Sequence, residues 1–235
     1  MSSKRYRQAA SQVDAAKTYV LGDAVTLLKQ LPPTKFDETV ELSVALDIDP
    51  KKTDQAIRGT VNLPHGTGKT RRVLVFCKGE QELIAKQAGA DYVGSSDLID
   101  KIQREGWLDF DVAIATPDLM KDVSRLGKLL GPRGLMPNPK AGTVSTDVAK
   151  AVTEVKQGKV EFKMDKLANL HVVIGKLSFA VDRLVENAKS VIEAIMRTRP
   201  SAVKGQFVRR LTLSSTMSPG IQLDLSAFLE QPNEA

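Results

Sequence analysis

The chain has a single cysteine, Cys77, in 235 residues, which excludes a disulfide framework and any site built on several thiolates. Its two histidines, His65 and His171, stand far apart in sequence, so a zinc-hydrolase constellation and the usual histidine general base are not expected. No apolar run approaches the ~20 residues that span a bilayer, so no membrane partner is expected. The basic N-terminus, Met1-Ser2-Ser3-Lys4-Arg5-Tyr6-Arg7, has no apolar stretch behind it and does not read as a secretory signal. No Gly-x-Ser-x-Gly elbow is present, and nothing resembles a nucleophile–base–acid set. Aromatic residues are scarce at 5%, and the strands carry no basic-Gly-aromatic stacking signature. These absences favour binding over catalysis, with no metal and no cofactor expected.

Hydrophobic residues make up 42% and charged residues 26%, as in ordinary globular proteins. The length suits two domains of roughly 100–150 residues each. The net charge is +6, but it is unevenly distributed. Three windows hold no acid: Gln55–Gly79 (Arg58, Lys69, Arg71, Arg72, Lys78), Val123–Thr146 (Arg125, Lys128, Arg133, Lys140) and Ala194–Leu223 (Arg197, Arg199, Lys204, Arg209, Arg210). They carry fourteen positive charges, so a total of +6 leaves −8 for the rest. Concentrated positive potential suits a polyphosphate ligand better than uniform basicity would.

Residues 5–31 show near-helical apolar spacing that stops at Pro32-Pro33, with Gly22-Asp23 as a break and Asp23 as an N-cap. Phe36 to Leu46 alternates as a half-buried strand, with Glu38 alone off the parity. Gly59–Leu63 reads as a second strand. From Val73 the texture changes. Val73–Cys77 is continuously apolar, as in a strand buried on both faces, and helices over Glu80–Gln87 and Ser96–Arg104 (Ser96 as cap) alternate with strands Asp91–Val93 and Val112–Ala115. Trp107 packs in this section. Gly131–Thr143 is a long Gly/Pro-rich functional loop, followed by a helix over Thr146–Lys156.

After Gly158 the alternating texture returns. Lys159–Lys163 and His171–Ile174 read as a strand pair, Ala180–Met196 as an amphipathic helix. Phe207, Leu211 and Leu213 share one face of a last strand, and Arg210, Thr212, Ser214 and Thr216 the other. If that strand lies beside the first, these polar residues join Lys35, Thr39 and Ser43 in a patch of hydroxyls and cations suited to the sugar edge of RNA. Two arrangements fit: three consecutive sub-structures, or one domain interrupted by another. Glycines at both seams (Gly66, Gly68; Gly158) favour insertion, with those glycines as a hinge.

His65-Gly66-Thr67-Gly68-Lys69-Thr70 resembles the end of a phosphate-binding P-loop, but Leu63 occupies the position of its first glycine and a strand follows. A nucleotide-dependent enzyme on the inner α/β section is therefore the alternative reading. His65 caps or packs, and Cys77 is an ordinary buried thiol.

Lys35–Glu41, Arg58–Gly66, Gly89–Gly94 and above all Leu130–Thr143, with Gly175-Lys176 and Ser215-Thr216-Met217, closely resemble the bacterial large-subunit ribosomal protein L one family. The resemblance implies an α/β (α+β) chain. A split βαβ ferredoxin-like domain (1–66 with 159–235) is interrupted by an inserted Rossmann-like three-layer α/β/α domain (67–158). It implies a structural protein that binds the mobile stalk of large-subunit rRNA near the tRNA exit (E) site. It further implies release of deacylated E-site tRNA, contacts with other ribosomal components, repression of its own operon mRNA, and a monomer when free. The location implied is the ribosome in the cytoplasm; the chain itself does not distinguish a plastid origin. RNA contact is carried over to Lys35, Phe36, Thr39, Lys166, His171, Lys176, Ser215, Thr216, Met217, Ser218 and Pro219. At Ser218 the family usually has glycine, which permits positive φ or a close backbone approach; serine there either obstructs or adds a hydroxyl.

Overall fold

A computed structural model of the chain describes residues 3–52, 55–200, 203 and 205–229; Lys204 of the third basic window lies outside them. The chain divides into two compact units, residues 1–68 with 160–235 and residues 69–159. Among the described residues the strands are β1 (Thr39–Leu46), β2 (Arg58–Asn62), β3 (Val73–Phe76), β4 (Tyr92–Gly94), β5 (Val112–Ala115), β6 (Lys159–Lys163), β7 (Asn169–Lys176), β8 (Val208–Ser215) and β9 (Ile221–Leu223).

In the first unit, a four-stranded antiparallel sheet runs β7-β1-β8-β9, and β2 pairs with β6. Strict alternation along β1 buries Val40, Leu42, Val44 and Leu46 and leaves Thr39, Glu41, Ser43 and Ala45 half-exposed on the opposite face. The buried face packs with Leu21, Ala24, Val25 and Leu28 of helix Leu21–Gln30 and with Leu184, Ala188, Val191, Ile192 and Ile195 of helix Val181–Arg197. Each buried Val, Leu or Ile among them contributes roughly 1.5–3 kcal/mol relative to exposure.

In the second unit, β4, β3 and β5 form a parallel sheet in that order. All four residues of β3 are buried because helices cover both faces. Leu74 and Phe76 pack with Ile99 and Ile102 of helix Ser96–Glu105 and with the helical turns between Pro117 and Leu130. Val73 and Val75 pack with Ala85 of helix Glu80–Gln87 and with Val148, Ala151, Val152 and Val155 of helix Val148–Gln157.

Several sequence expectations are corrected. The first helical stretch is two helices, Lys4–Gln12 and Leu21–Gln30, so the expected break falls before Leu21, and Gly22-Asp23 lies inside the second helix. Between them the backbone of Tyr19 is spent on β9: its N–H donates to Gln222 and its carbonyl accepts from Asp224. Val20, not Asp23, is the N-cap position, and Asp23 lies in the first turn. Likewise Ser95 takes the cap position expected for Ser96, without a side-chain bond. The last helix of the second unit starts at Val148, where Asp147 accepts from the N–H of Lys150 (3.1 Å). β6 and β7 are not partners: β6 joins β2, and β7 joins β1. The Asp165–Ala168 turn, with Ala168 at φ 62°, sends the chain from one sheet to the other. Phe36 lies outside β1 and is 54% exposed, whereas Glu38 is 2% exposed.

Candidate nucleic-acid interface

The registers Thr39↔Lys176 and Val40↔Ser215 bring the start of β1, the end of β7 and the end of β8 to one end of the four-stranded sheet. Glu38 sits at this junction. Its carboxylate accepts from the Ser215 hydroxyl (2.6 Å) and from the Met217 N–H (2.9 Å), and its carbonyl accepts from the Leu177 N–H (2.8 Å). Hydrogen bonds to an ionised acceptor are about twice as strong as neutral ones. One buried acid therefore ties the turn after β8 to the strand beside it.

The neighbours complete the frame. The Thr39 N–H donates to Thr216 Oγ1 (3.1 Å), and the Thr216 N–H donates to the Thr39 carbonyl (3.1 Å). Lys176 Nζ donates to the Asp37 carbonyl (3.1 Å) and to Thr39 Oγ1 (3.0 Å). The Asp37 carboxylate accepts from the Ser178 N–H (3.1 Å) and hydroxyl (2.8 Å). The guanidinium of Arg5 donates to the carbonyls of Met217 and Pro32. Met217 is thus pinned at its N–H and its carbonyl while its side chain is 49% exposed. Thr216, next to it in the chain, is exposed, as are Lys35 and Phe36 just before Asp37 and Glu38.

Ser218 is accommodated without left-handed backbone; among the described residues only Ala168 is a non-glycine with positive φ. Its hydroxyl accepts from the Ser215 N–H (2.8 Å) and donates to the Pro219 carbonyl (3.0 Å), so it is spent within the turn. Ser215 and Pro219 are buried and shape the turn from inside.

The other residues singled out in the sequence lie elsewhere on the sheet. His171 is exposed in the middle of β7, its Nδ1 3.1 Å from both the Glu41 carboxylate and the Ser43 hydroxyl. Lys166 is exposed beyond the far end of β7. From Asn169 to Lys176 is seven strand steps, ~23 Å at ~3.3 Å each. The structure therefore brings Thr39, Lys176 and the 215–219 turn together, and does not bring Lys166 to them. Asp165, before Lys166, is held below the usual carboxylate range, chiefly by the backbone N–H of Asn169, with its side-chain amide and the Leu167 N–H adding to it.

Glu38 and Arg5 were not among the sequence candidates. The signal for Glu38 was its break in the alternation of β1; Arg5 carried only the basic N-terminal cluster. Asn187 was also missed, although it shares the apolar face of its helix with Leu184, Ala188 and Val191. It is fully buried, accepts from the His65 N–H (3.1 Å) and donates to the carbonyls of Gly66 (3.0 Å) and Ile174 (2.7 Å). Gly66, Gly68 and Gly158 all have positive φ. At Gly68 a Cβ would also fall 2.9 Å from Lys176 Cγ.

The P-loop-like segment leads into strand β3, with no helix after it. His65 Nε2 lies 2.5 Å from the Glu186 carboxylate. Trp107 packs edge-on to Tyr92 (4.8 Å between centroids) under the Lys101 ammonium. Burial pushes the Cys77 thiol up to about 11. Within the Gly/Pro loop, the Asn138 N–H donates to Thr143 Oγ1 (2.7 Å) and closes its second half, and Arg133 and Lys140 are exposed. Among the described residues, no group of three or more His, Cys, Asp or Glu side chains is placed to hold a metal ion, and no helix is long and apolar enough to cross a membrane.

Residues 27–219 match the family model described as the ribosomal protein L1p/L10e family. The chain is 53% identical over 233 residues to the large ribosomal subunit protein uL1 of Thermobifida fusca, covering 99% of both chains. It is 57% identical over 228 residues to the protein of that name from Fervidobacterium nodosum, covering 97% of each. To that of Thermosipho melanesiensis it is 57% identical over 222 residues, covering 94% of this chain and 96% of the relative.

Proposed function

The chain belongs to the ribosomal protein L1p/L10e family, and from that premise we propose that it grips the mobile stalk of large-subunit rRNA through the junction around Glu38. It is a non-enzymatic constituent of the large ribosomal subunit. The observation that carries the proposal is the Thr216-Met217 turn, whose backbone is fixed at both ends while the Met217 side chain and Lys35 and Phe36 stay exposed. A rigid platform of threonine hydroxyls, an ammonium and a soft thioether suits the 2′-hydroxyl and sugar edge of RNA, which both donates and accepts. Preorganisation lowers the ordering cost of binding.

In this reading Lys35, Phe36, Thr39, Lys176, Thr216 and Met217 meet the RNA directly. His171 and Lys166 extend the contact along the sheet, and Ser215, Ser218 and Pro219 hold the turn. The first unit acts as a split βαβ ferredoxin-like domain (1–66 with 159–235). The inserted Rossmann-like domain (67–158) is joined to it through a hinge at Gly66, Gly68 and Gly158. Near the tRNA exit site the inserted domain assists release of deacylated tRNA. The free protein, a cytoplasmic monomer, represses its own operon mRNA through an RNA site like that of the stalk.

The test is to recover RNA bound to the tagged chain expressed in a bacterium and to footprint it. Enrichment and protection of the stalk segment, with a second enriched site in the operon message, is expected. Recovery of ribosomal RNA without selective stalk protection would refute the proposal.

A further inference from the structure

The far end of the same sheet carries a second feature. The register of β1 with β8 slips between Ala45 and Leu46: Ala45 lies opposite Arg210, and Leu46 opposite Val208. One extra residue, Arg209, is therefore left without a partner. A bulge of this kind re-aims side chains, and here two consecutive arginines are both exposed where alternation would bury one. On its other edge Ala45 lies opposite Asn169, next to the turn that exposes Lys166 and leaves Leu167 79% exposed. A small residue thus separates two cationic edges, two strand spacings or ~10 Å apart.

Three acids stand at this end: Asp47, Asp165, and Asp224, which follows Leu223 and so lies beside Arg210, its Oδ1 accepting from the Ser226 N–H (3.0 Å) and hydroxyl (2.7 Å). Both Asp165 oxygens are turned into its own turn, accepting from Leu167 and Asn169. None of Lys166, Arg209 and Arg210 joins an ion pair among the described residues. Between this end and the Glu38 junction, the same sheet face presents the half-exposed residues Ser43, Thr212 and Ser214, together with Glu41, whose carboxylate lies 3.1 Å from the Nδ1 of His171.

We infer that Arg209, Arg210 and Lys166 form a second RNA-backbone contact, so that the sheet holds its RNA at two points ~23 Å apart. This rests on the rRNA reading above and deepens it. The turn end reads sugar edges, whereas the bulge end clamps phosphates of a separate segment, with Leu167 against a sugar or base face. Continuity with the hydroxyl-lined face favours RNA over an acidic protein as its occupant.

The experiment measures binding of a stalk rRNA fragment to the full chain from ~50 to ~200 mM salt, with hydroxyl-radical footprinting. Arg209→Ala/Arg210→Ala is compared with Arg209→Lys/Arg210→Lys and Thr216→Val, all checked by thermal melting. Loss of two phosphate contacts lowers the slope of log affinity against log salt by ~1.4–1.8. The double alanine variant is expected to do this and to lose protection of one RNA segment, while the lysine variant keeps both. Thr216→Val is expected to leave the slope unchanged and to lose protection elsewhere. An unchanged slope and footprint in the alanine variant would overturn the inference. Loss of protection at the nucleotides that Thr216→Val affects would also overturn it, because it means a single contact. Absence of selective stalk binding by the unaltered chain would instead overturn the proposed function.

Discussion

Replacing Glu38 tests whether one buried acid positions the recognition turn. Among the described residues, its carboxylate is the sole side-chain acceptor for the Ser215 hydroxyl and the Met217 N–H. Glu38→Ala leaves both donors without that partner in a site where the parent residue is 2% exposed. Each stranded donor costs ~1–3 kcal/mol, and the vacated volume adds to it, so a stability loss of ~3–5 kcal/mol is expected. Glu38→Gln keeps an oxygen acceptor but loses the charge. Two charge-assisted bonds of ~1.5–3 kcal/mol fall to the neutral ~0.5–1.5, offset by relief of a buried charge, so ~1–2 kcal/mol is expected. Urea unfolding followed by circular dichroism measures the loss, and stalk-RNA titration measures its consequence. Below the unfolding range, affinity should fall more than ~10-fold for the alanine variant and less for glutamine, because the turn must be re-ordered on binding. A well-folded Glu38→Ala protein with unchanged RNA affinity would refute the reasoning.

Arg5→Ala frees the Met217 and Pro32 carbonyls; loss of the bond that holds Met217, ~1 kcal/mol, should weaken stalk binding about three- to ten-fold in a titration against the unaltered chain. Asp165 has a depressed carboxyl pKa, so its stabilising effect is fully present above the ordinary carboxylate value of ~3.9 and is lost as pH falls through its folded value. Asp165→Asn should therefore flatten the acid limb of the stability–pH curve, and an unchanged limb would contradict this. Cys77, buried and raised to about 11, should resist thiol reagents at pH 8 in the native state and react promptly in urea.

Much of the fold was legible where one physical pattern dominates. Alternation located β1 and β8, and a continuous apolar run marked β3 as covered on both faces. The polar row Thr39, Ser43, Thr212 and Ser214 follows once β1 and β8 are neighbours, since parity fixes which side chains share a face. What stayed hidden depends on long-range partners. Glu38 breaks a pattern, and only its bonds to Ser215 and Met217 explain why an acid belongs inside. Arg5 meets Met217 across 212 positions of sequence. The helix break at Tyr19 and the separation of β6 from β7 come from backbone bonds to other strands, which local spacing does not encode. Ser218 needed the turn itself to reveal that its hydroxyl is used internally.

The central claim is that RNA affinity resides at the Glu38 end of the four-stranded sheet. It is tested most directly by stalk-RNA dissociation constants at fixed salt for three full-length proteins: the unaltered chain, Thr216→Val/Met217→Ala, and Arg133→Ala/Lys140→Ala in the Gly/Pro loop of the other unit. The sheet-end variant should lose ~1–3 kcal/mol, a ~5- to 150-fold weakening, and the loop variant should stay within about twofold of the unaltered chain. A loop variant that loses binding while the sheet-end variant retains it would contradict the account.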